Sequence, residues 1–441
     1  MDRIDFSKYH EALDRASPFE YYGRVTKIVG LAVEATGPAS RVGDICHLYT
    51  LSGGTYIQAE IVGFVSNNVL LMPYGSVEGI GLGSLVKYKK EPLRVAVGYN
   101  YIGRVLDALG NPMDDLPPPV PDTYYSVDNP PPNPLTRDRV TQTLSLGVKA
   151  IDGMLTVGSG QRLGIFAGSG VGKSTLLGMI SRYSVADINV IVLVGERGRE
   201  VRDFLEKDLG PEGIARSVLI IATSDQPALL RLKCAMVGTT MAEYFRDQGK
   251  KVLLLMDSLT RFAMAQREIG MATGEPPVSR GYPPSVYTIL PKLLERSGAS
   301  DKGAITALYT VLVEGDDMNE PIADTVRGIL DGHIVLSRSL ANGNHYPPID
   351  ILASISRVMP DIVSTEHYAE MGFIRSALAT YRDSEDLINI GAYKRGSNPA
   401  IDRSIDLNPA ITSFLRQDML EHHTFEETLG QMSDIADENA L

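Results

Sequence analysis

Cysteine is nearly absent. Cys46 and Cys234 are the only two in 441 residues. They stand far apart and belong to no ligand-spacing pattern, so neither a disulfide framework nor a zinc site is indicated. Two small buried residues in a reducing compartment are the expectation that remains. Positive charge is also short, since 42 Lys and Arg face 54 Asp and Glu for a formal net charge of −12. A nucleic-acid partner, which needs a net basic face to displace counterions, is not expected. Long apolar runs are missing as well. No stretch approaches the ~18 residues of a membrane span, and the opening MDRIDFSKYHEALDRAS is charged throughout, without the apolar core of a signal peptide. The expectation is a cytoplasmic protein with no membrane span.

What is present is enough apolar residue, 44% of the chain, to fill more than one core. At this length two or three domains are expected. Ile4, Phe6, Tyr9 and Leu13 loosely mark one face of a short helix, so residues 1–18 read as a docking helix or a disordered tail. Residues 19–98 carry short Val-, Ile- and Tyr-rich runs such as TYIQAEIVGFV and NVLLMPYG between Gly, Ser and Asn turns, the pattern of a small β-barrel. A connector at 116–134, LPPPVPDTYYSVDNPPPNP, holds eight of the 26 prolines. Proline denies it both helix and sheet ladders, and it reads as an ordered strap across the next domain.

Over 99–358 continuous apolar runs (RLGIFA, INVIVLVGE, SVLIIAT, KVLLLMD, AITALYTVLVEG, HIVLSR) alternate with helical stretches. Runs apolar at every position suit strands buried on both faces, hence an α/β domain with a largely parallel sheet. Residues 359–441 recur at helical spacing with no comparable strand and read as a helical domain.

The chemistry concentrates in LGIFAGSGVGKST, residues 163–175: a strand, a glycine-rich turn and a helix, the context of a Walker A loop. Gly168, Ser169, Gly170, Val171 and Gly172 would let backbone amides curl around phosphate oxygens at a helix N-terminus. Lys173 would meet the β- and γ-phosphates, Ser174 would coordinate Mg2+, and Thr175 completes the turn into the helix. Ala167 stands where the pattern's first glycine falls, a small departure. ATP and Mg2+ are the implied cofactors. Asp257 ends the apolar run KVLLLMD and suits a carboxylate orienting a magnesium-bound water, with simple capping of the following helix the lesser alternative. Glu196 ends another run, at the strand edge where open α/β sheets bind ligands, with Arg197 beside it. Water activation and simple solvent exposure are both compatible with that pair on chemistry alone.

These motifs together resemble one family, the rotary-type ATPases that include ATP synthase catalytic subunits and the ATPases of type III protein export. AGSGVGKST, VGERGREVRDF, LLLMDSLTRFAMAQREI, GEPPVSRGYPPSVYTILPKLLERSG and HYPPIDILASISRVMP follow in the family's order from about Tyr21 onward. FAGSGVGKSTLLGM and YRDSEDLINIGAYKRG are similar to the flagellum-specific export branch, the second also to virulence-secretion ATPases. The resemblance implies a RecA-like core with Glu196 as the catalytic carboxylate, and phosphate contacts from Arg197 and Arg261. It also implies Tyr346 against adenine and Arg357 as an arginine finger delivered to a neighbouring subunit.

One chain carrying both the glutamate and the finger implies a homohexamer with sites at its interfaces. Stator and gate proteins of the export apparatus, its substrates and their chaperones are the implied partners, and the cytoplasmic side of the inner-membrane apparatus is the implied location. Three alternatives predict different features. A rotary ATP synthase subunit would show an acidic DELSEED-like stretch in the C-terminal region, which is missing. A noncatalytic ring subunit would lack Glu196. An RNA translocase would carry a basic barrel with exposed aromatics, whereas residues 21–97 look only mildly charged.

Overall fold

The computed structural model describes residue 6 and residues 20–313, 315 and 317–437. The helix or tail expected over 1–18 thus lies, but for residue 6, outside the described residues. By contacts the chain divides into two compact units, one holding the chain to Leu93 with Ile269–Glu275, the other Arg94–Glu268 with Pro276–Leu441.

Strands are numbered in chain order. In the first unit β1 (Tyr21–Val29), β2 (Ala32–Ala35), β3 (Asp44–Tyr49), β4 (Tyr56–Val65), β5 (Asn68–Pro73) and β6 (Leu85–Pro92) close into a barrel in the order β1-β2-β5-β4-β3-β6. Alternating side chains fill it: Val25, Val33, Cys46, Leu48, Ala59, Ile61, Leu71 and Val86 form one buried cluster. Closure leaves the short strands without open edges. Cys46 is a small core residue, as expected, and burial pushes its thiol up to about 12.

The expected barrel limit at residue 98 shifts, because β7 (Arg94–Val97) pairs with β9 (Thr123–Ser126) in the second unit. That pairing also corrects the reading of the connector. Prolines flank TYYS but do not interrupt it, so these four residues keep their amide donors and form a ladder. The strap is then pinned by side chains: Asn129 donates to Glu243 at 2.9 Å, and Arg296 donates to Val127 O at 2.9 Å while paired with Glu243 at 2.8 Å. Arg296 and Glu243 are both 3% exposed, so each charge depends on the other for its solvation.

A nine-stranded sheet organises the second unit. β8 (Val105–Asp107), β10 (Arg162–Ala167), β11 (Ile188–Glu196), β12 (Ser217–Thr223), β13 (Lys251–Asp257), β15 (Ala304–Leu312), β16 (Gly332–Leu336) and β17 (Ile355–Ser356) run in the order β17-β16-β10-β15-β13-β11-β12-β8, with β14 (Gly298–Ala299) on β15. All six apolar runs read from the sequence are strands of this sheet. Its pairings are parallel except where β14 and β17 join antiparallel. Every parallel strand therefore ends on one edge, where Ala167, Glu196, Asp257, Leu312 and Leu336 come together. Helices such as Lys173–Tyr183 and Ala228–Asp247 cover the faces.

The C-terminal helices Thr365–Asn389, Pro399–Leu415 and Phe425–Asp437 share this unit's core rather than enclosing one of their own. Leu407, Ile411, Phe414, Met432 and Ile435 belong to the same buried cluster as Ile151, Met154 and Leu176. His367 reaches across to Gly153 O at 2.8 Å. Among the described residues no helix is long and apolar enough to cross a membrane.

Candidate functional site

The carboxyl edge of the sheet opens into a cleft of about 670 Å³. Gly168, Ser169, Gly170, Gly172, Lys173, Ser174, Thr175, Glu196, Arg197 and Arg261 all line it. The loop leaves β10, turns through Gly170 and Gly172, and enters the helix Lys173–Tyr183. Gly172 caps that helix at φ 92°, a left-handed conformation that a side chain would strain, so glycine is required there. Val171 points the other way, 2% exposed in the core beneath the loop. Ala167 is buried as the last residue of β10, paired with both β15 and β16. Its methyl packs inside and leaves the loop free.

Glu196 owes its position to a bulge. On β11 Val194 pairs with Ala222 and Glu196 with Thr223, skipping Gly195 at φ 71°. An extra residue of that kind re-aims the side chain that follows. It also lets Arg261 lie close, since a Cβ on Gly195 would stand 3.2 Å from Arg261 Cβ.

Three charges meet at the cleft floor. Lys173 Nζ lies 2.5 Å from Asp257 Oδ1 and 3.7 Å from Glu196 Oε1. Burial works against the Lys173 charge, but Asp257 and Glu196 more than offset it and hold the ammonium above its ordinary range. Burial pushes the Glu196 carboxyl up to about 7; Asp257 adds to the rise, Lys173 opposes it, and a hydrogen bond shared with Glu200 raises it again. A carboxyl near neutrality beside a phosphate loop is suited to take a proton from water. Asp257 Oδ1 also accepts from Thr310 Oγ1 at 2.6 Å, so this one oxygen is shared between the cleft lysine and a buried strand hydroxyl.

Four cations (Lys173, Arg197, Arg261 and Arg338) line the cleft against Glu196 and Glu200, with Asp257 a third carboxylate at the floor. In a chain of net charge −12 this is a local reversal of sign, suited to a polyanion. Arg197 is largely exposed and pairs with Glu200 at 3.2 Å. Arg261 Nε is buried and makes no hydrogen bond among the described residues, a donor that a bound anion would satisfy.

The donor set fits magnesium. Ser174 lines the cleft and Asp257 lies at its floor, while the described residues hold no cluster of three His, Cys, Asp or Glu that would bind a metal unaided. A cation that keeps several waters and takes oxygens from a nucleotide needs no more than one or two protein ligands.

Tyr346, 46% exposed, lines a second cavity of about 460 Å³ with Gly172, Thr175, Leu176 and Met179, so it opens beside the phosphate loop as a base pocket should. Arg357 is the one predicted residue set apart. It follows β17, whose Ser356 pairs with Gly332 at the start of β16, and its guanidinium is 3.4 Å from Leu330 O. That is the amino edge of the sheet. Four residue steps of β16, about 13 Å, separate it from the carboxyl edge, and it is exposed. It does not line its own chain's cleft.

Sequence reasoning missed Glu200, Thr310 and Arg338. Thr310 lies inside an apolar strand run where no motif marks it. Arg338 enters from the short helix after β16, and only the strand order brings it to the loop.

Comparison with known proteins follows the same outline. Residues 25–89 match the ATP synthase alpha/beta family's beta-barrel domain, 147–356 its nucleotide-binding domain, and 363–434 the C-terminal domain of the EscN type III secretion ATPase. The flagellum-specific ATP synthase of Bacillus subtilis is 54% identical over 426 residues, 96% of this chain and 97% of that one. The chain belongs to the flagellum-specific and type III secretion ATPase family. It is an ATP-hydrolysing, nucleotide-binding enzyme. The type 3 secretion system ATPase of Xanthomonas euvesicatoria is 48% identical, covering 95% of this chain and 94% of its own. Among solved structures, the assembled ATPase EscN of the enteropathogenic E. coli type III secretion system superposes with a TM-score of 0.88 at 45% identity, over 94% of this chain and 99% of that one. EscN in complex with its central stalk EscO gives 0.87.

Proposed function

We propose that this chain is the ATPase of a flagellar type III export apparatus and that it turns over Mg-ATP in a homohexameric ring. Hydrolysis would help release export substrates from their chaperones at the cytoplasmic side of the inner-membrane gate, with stator and gate proteins as neighbours. The observation that carries the reading is the separation of Glu196 and Arg357 in one chain, the first in the phosphate cleft and the second exposed on the opposite sheet edge. A head-to-tail ring brings one chain's amino edge toward another's carboxyl edge and repeats the same site at every interface. The identity to flagellum-specific relatives supports the flagellar branch.

In the proposed chemistry the loop amides of residues 168–172 and Lys173 hold the phosphates, and Tyr346 packs on the base. Magnesium, held by Ser174 and Asp257, would supply charge neutralisation at the β- and γ-phosphates. Lys173 must exchange Asp257 for phosphate oxygen when nucleotide enters, while Thr310 keeps its bond to the Asp257 carboxylate. Glu196, once ionised, accepts a proton from the attacking water. Arg197 and Arg261 meet phosphate charge within the chain, and Arg357 of the neighbour adds charge in trans, an effect worth ~10³ to 10⁵ in rate in other NTPases.

Mixing Glu196→Gln with Arg357→Ala tests the shared site. Each variant alone should be inactive, whereas hybrid rings contain interfaces with both groups intact and should recover activity. No recovery, with ring assembly verified by native mass spectrometry, would rule the trans finger out.

A further inference from the structure

Gln417 stands two residues beyond the helix Pro399–Leu415 and is 4% exposed. Its amide makes three hydrogen bonds. Oε1 accepts from the Lys149 amide at 2.8 Å, and Nε2 donates to Gly147 O and to Glu421 O, each at 2.9 Å. Its backbone N–H donates to Tyr346 O at 3.0 Å. A single buried residue thereby joins three segments distant in sequence: the loop 416–421, the turn at 147–149 and the loop carrying Tyr346.

The surroundings give this junction a direction. Gln417 lines the same cavity as Tyr346, Gly172 and Thr175, and the last two also line the phosphate cleft. Arg182, on the helix that begins at Lys173, donates to Met419 O and ties the loop 416–421 to the phosphate side as well. Both N–H donors of the Gln417 amide are taken by protein and Oε1 already accepts the Lys149 N–H, so the group is committed to holding these segments together. Its contribution is to place other atoms.

We propose that Gln417 is a positioning residue for the nucleotide base. It fixes the loop 416–421 and, through its backbone bond, the carbonyl of Tyr346, so that the aromatic ring stands at a set distance from the phosphate loop. The inference rests on reading Tyr346 as the base-stacking residue. Loss of the amide would leave Lys149 N and Gly147 O unpaired in the interior and release Glu421 O at the exposed end of the loop, and the loop would move to satisfy the buried pair with water. The phosphate cleft, held by β10 and Gly172, would keep its shape.

The test separates the base from the phosphates. Gln417→Met keeps the length and the backbone N–H and removes all three side-chain bonds. It should raise KM for Mg-ATP about fivefold or more and leave kcat within about twofold. The constant for competitive inhibition by magnesium tripolyphosphate, which has phosphates and no base, should not change. An unchanged KM, or a parallel loss of kcat and tripolyphosphate affinity, would overturn the proposal, since a merely structural residue gives the second result. If the methionine variant does not fold, Gln417→Asn, which keeps an amide that cannot reach all three partners, gives the same readouts. Tyr346→Ala, measured alongside, tells the two failures apart. If its KM is unchanged the base pocket itself is misread, whereas if it rises and that of Gln417→Met does not, only the role of Gln417 falls.

Discussion

Replacing Glu196 by glutamine should stop hydrolysis and at the same time stabilise the protein at pH 8. The native carboxyl is raised from 4.5 to about 7, first by burial and next by Asp257. The native state therefore holds the proton more tightly than the unfolded chain does. Stability that is fully present below pH 4.5 falls as the pH rises and has been lost by the time it passes about 7. At about 1.4 kcal/mol per pH unit the rise amounts to about 3 kcal/mol of destabilisation at pH 8. Glutamine mimics the protonated acid and removes that loss, although it also gives up the attraction to Lys173, so about 3 kcal/mol is an upper figure. With ~2 cal/mol/K of unfolding entropy per residue, a unit of about 340 residues shifts by ~1–2 °C per kcal/mol, so the thermal midpoint should rise by up to about 4 °C at pH 8. The gain should vanish near pH 4.5. The same ionisation governs activity: about a tenth of the sites are ionised at pH 6 and about nine-tenths at pH 8, so wild-type kcat/KM should climb roughly tenfold between them. Scanning calorimetry of both proteins across pH 4.5 to 8, with a pH–rate profile of the wild type in excess magnesium, measures both effects. A stability gain independent of pH, or kcat/KM flat between pH 6 and 8, would refute the assignment of the buried carboxyl as the base.

Lys173→Ala removes the cation shared by Asp257 and Glu196, and with it the contact proposed for the β- and γ-phosphates. Saturable binding of a fluorescent ATP analogue should disappear, and a dissociation constant within tenfold of wild type would contradict the role. Arg296→Met should destabilise the second unit by ~3–5 kcal/mol, because it leaves the Glu243 carboxylate buried without its partner. Pairing it with Glu243→Leu should recover much of the loss, which denaturant titration of the single and double variants would show.

Legibility in the sequence followed how local each feature is. The six continuous apolar runs identified the parallel sheet, because burial on both faces leaves a signal along one stretch of chain. The phosphate loop was equally plain, since strand, glycines, lysine and serine are contiguous. Glu196 was not: Glu and Arg after a strand are common, and only the bulge at Gly195 and the burial beside Asp257 distinguish this one. Thr310 and Arg338 reach the site through strand order, which periodicity does not encode. The connector misled because its prolines dominate its composition, while the four residues that pair with β7 contain none. The C-terminal helices were read correctly as helices, but the packing of Phe414 and Met432 into the core of the α/β unit is a tertiary outcome with no local mark.

The central claim is a site completed by a second copy of this chain, and specific ATPase activity measured against protein concentration tests it most directly. If Arg357 acts in trans, activity per chain should rise steeply as rings assemble, track the hexamer fraction found by light scattering, and stay low in Arg357→Ala at every concentration. Activity per chain that is constant from dilute monomer to assembled ring would contradict it.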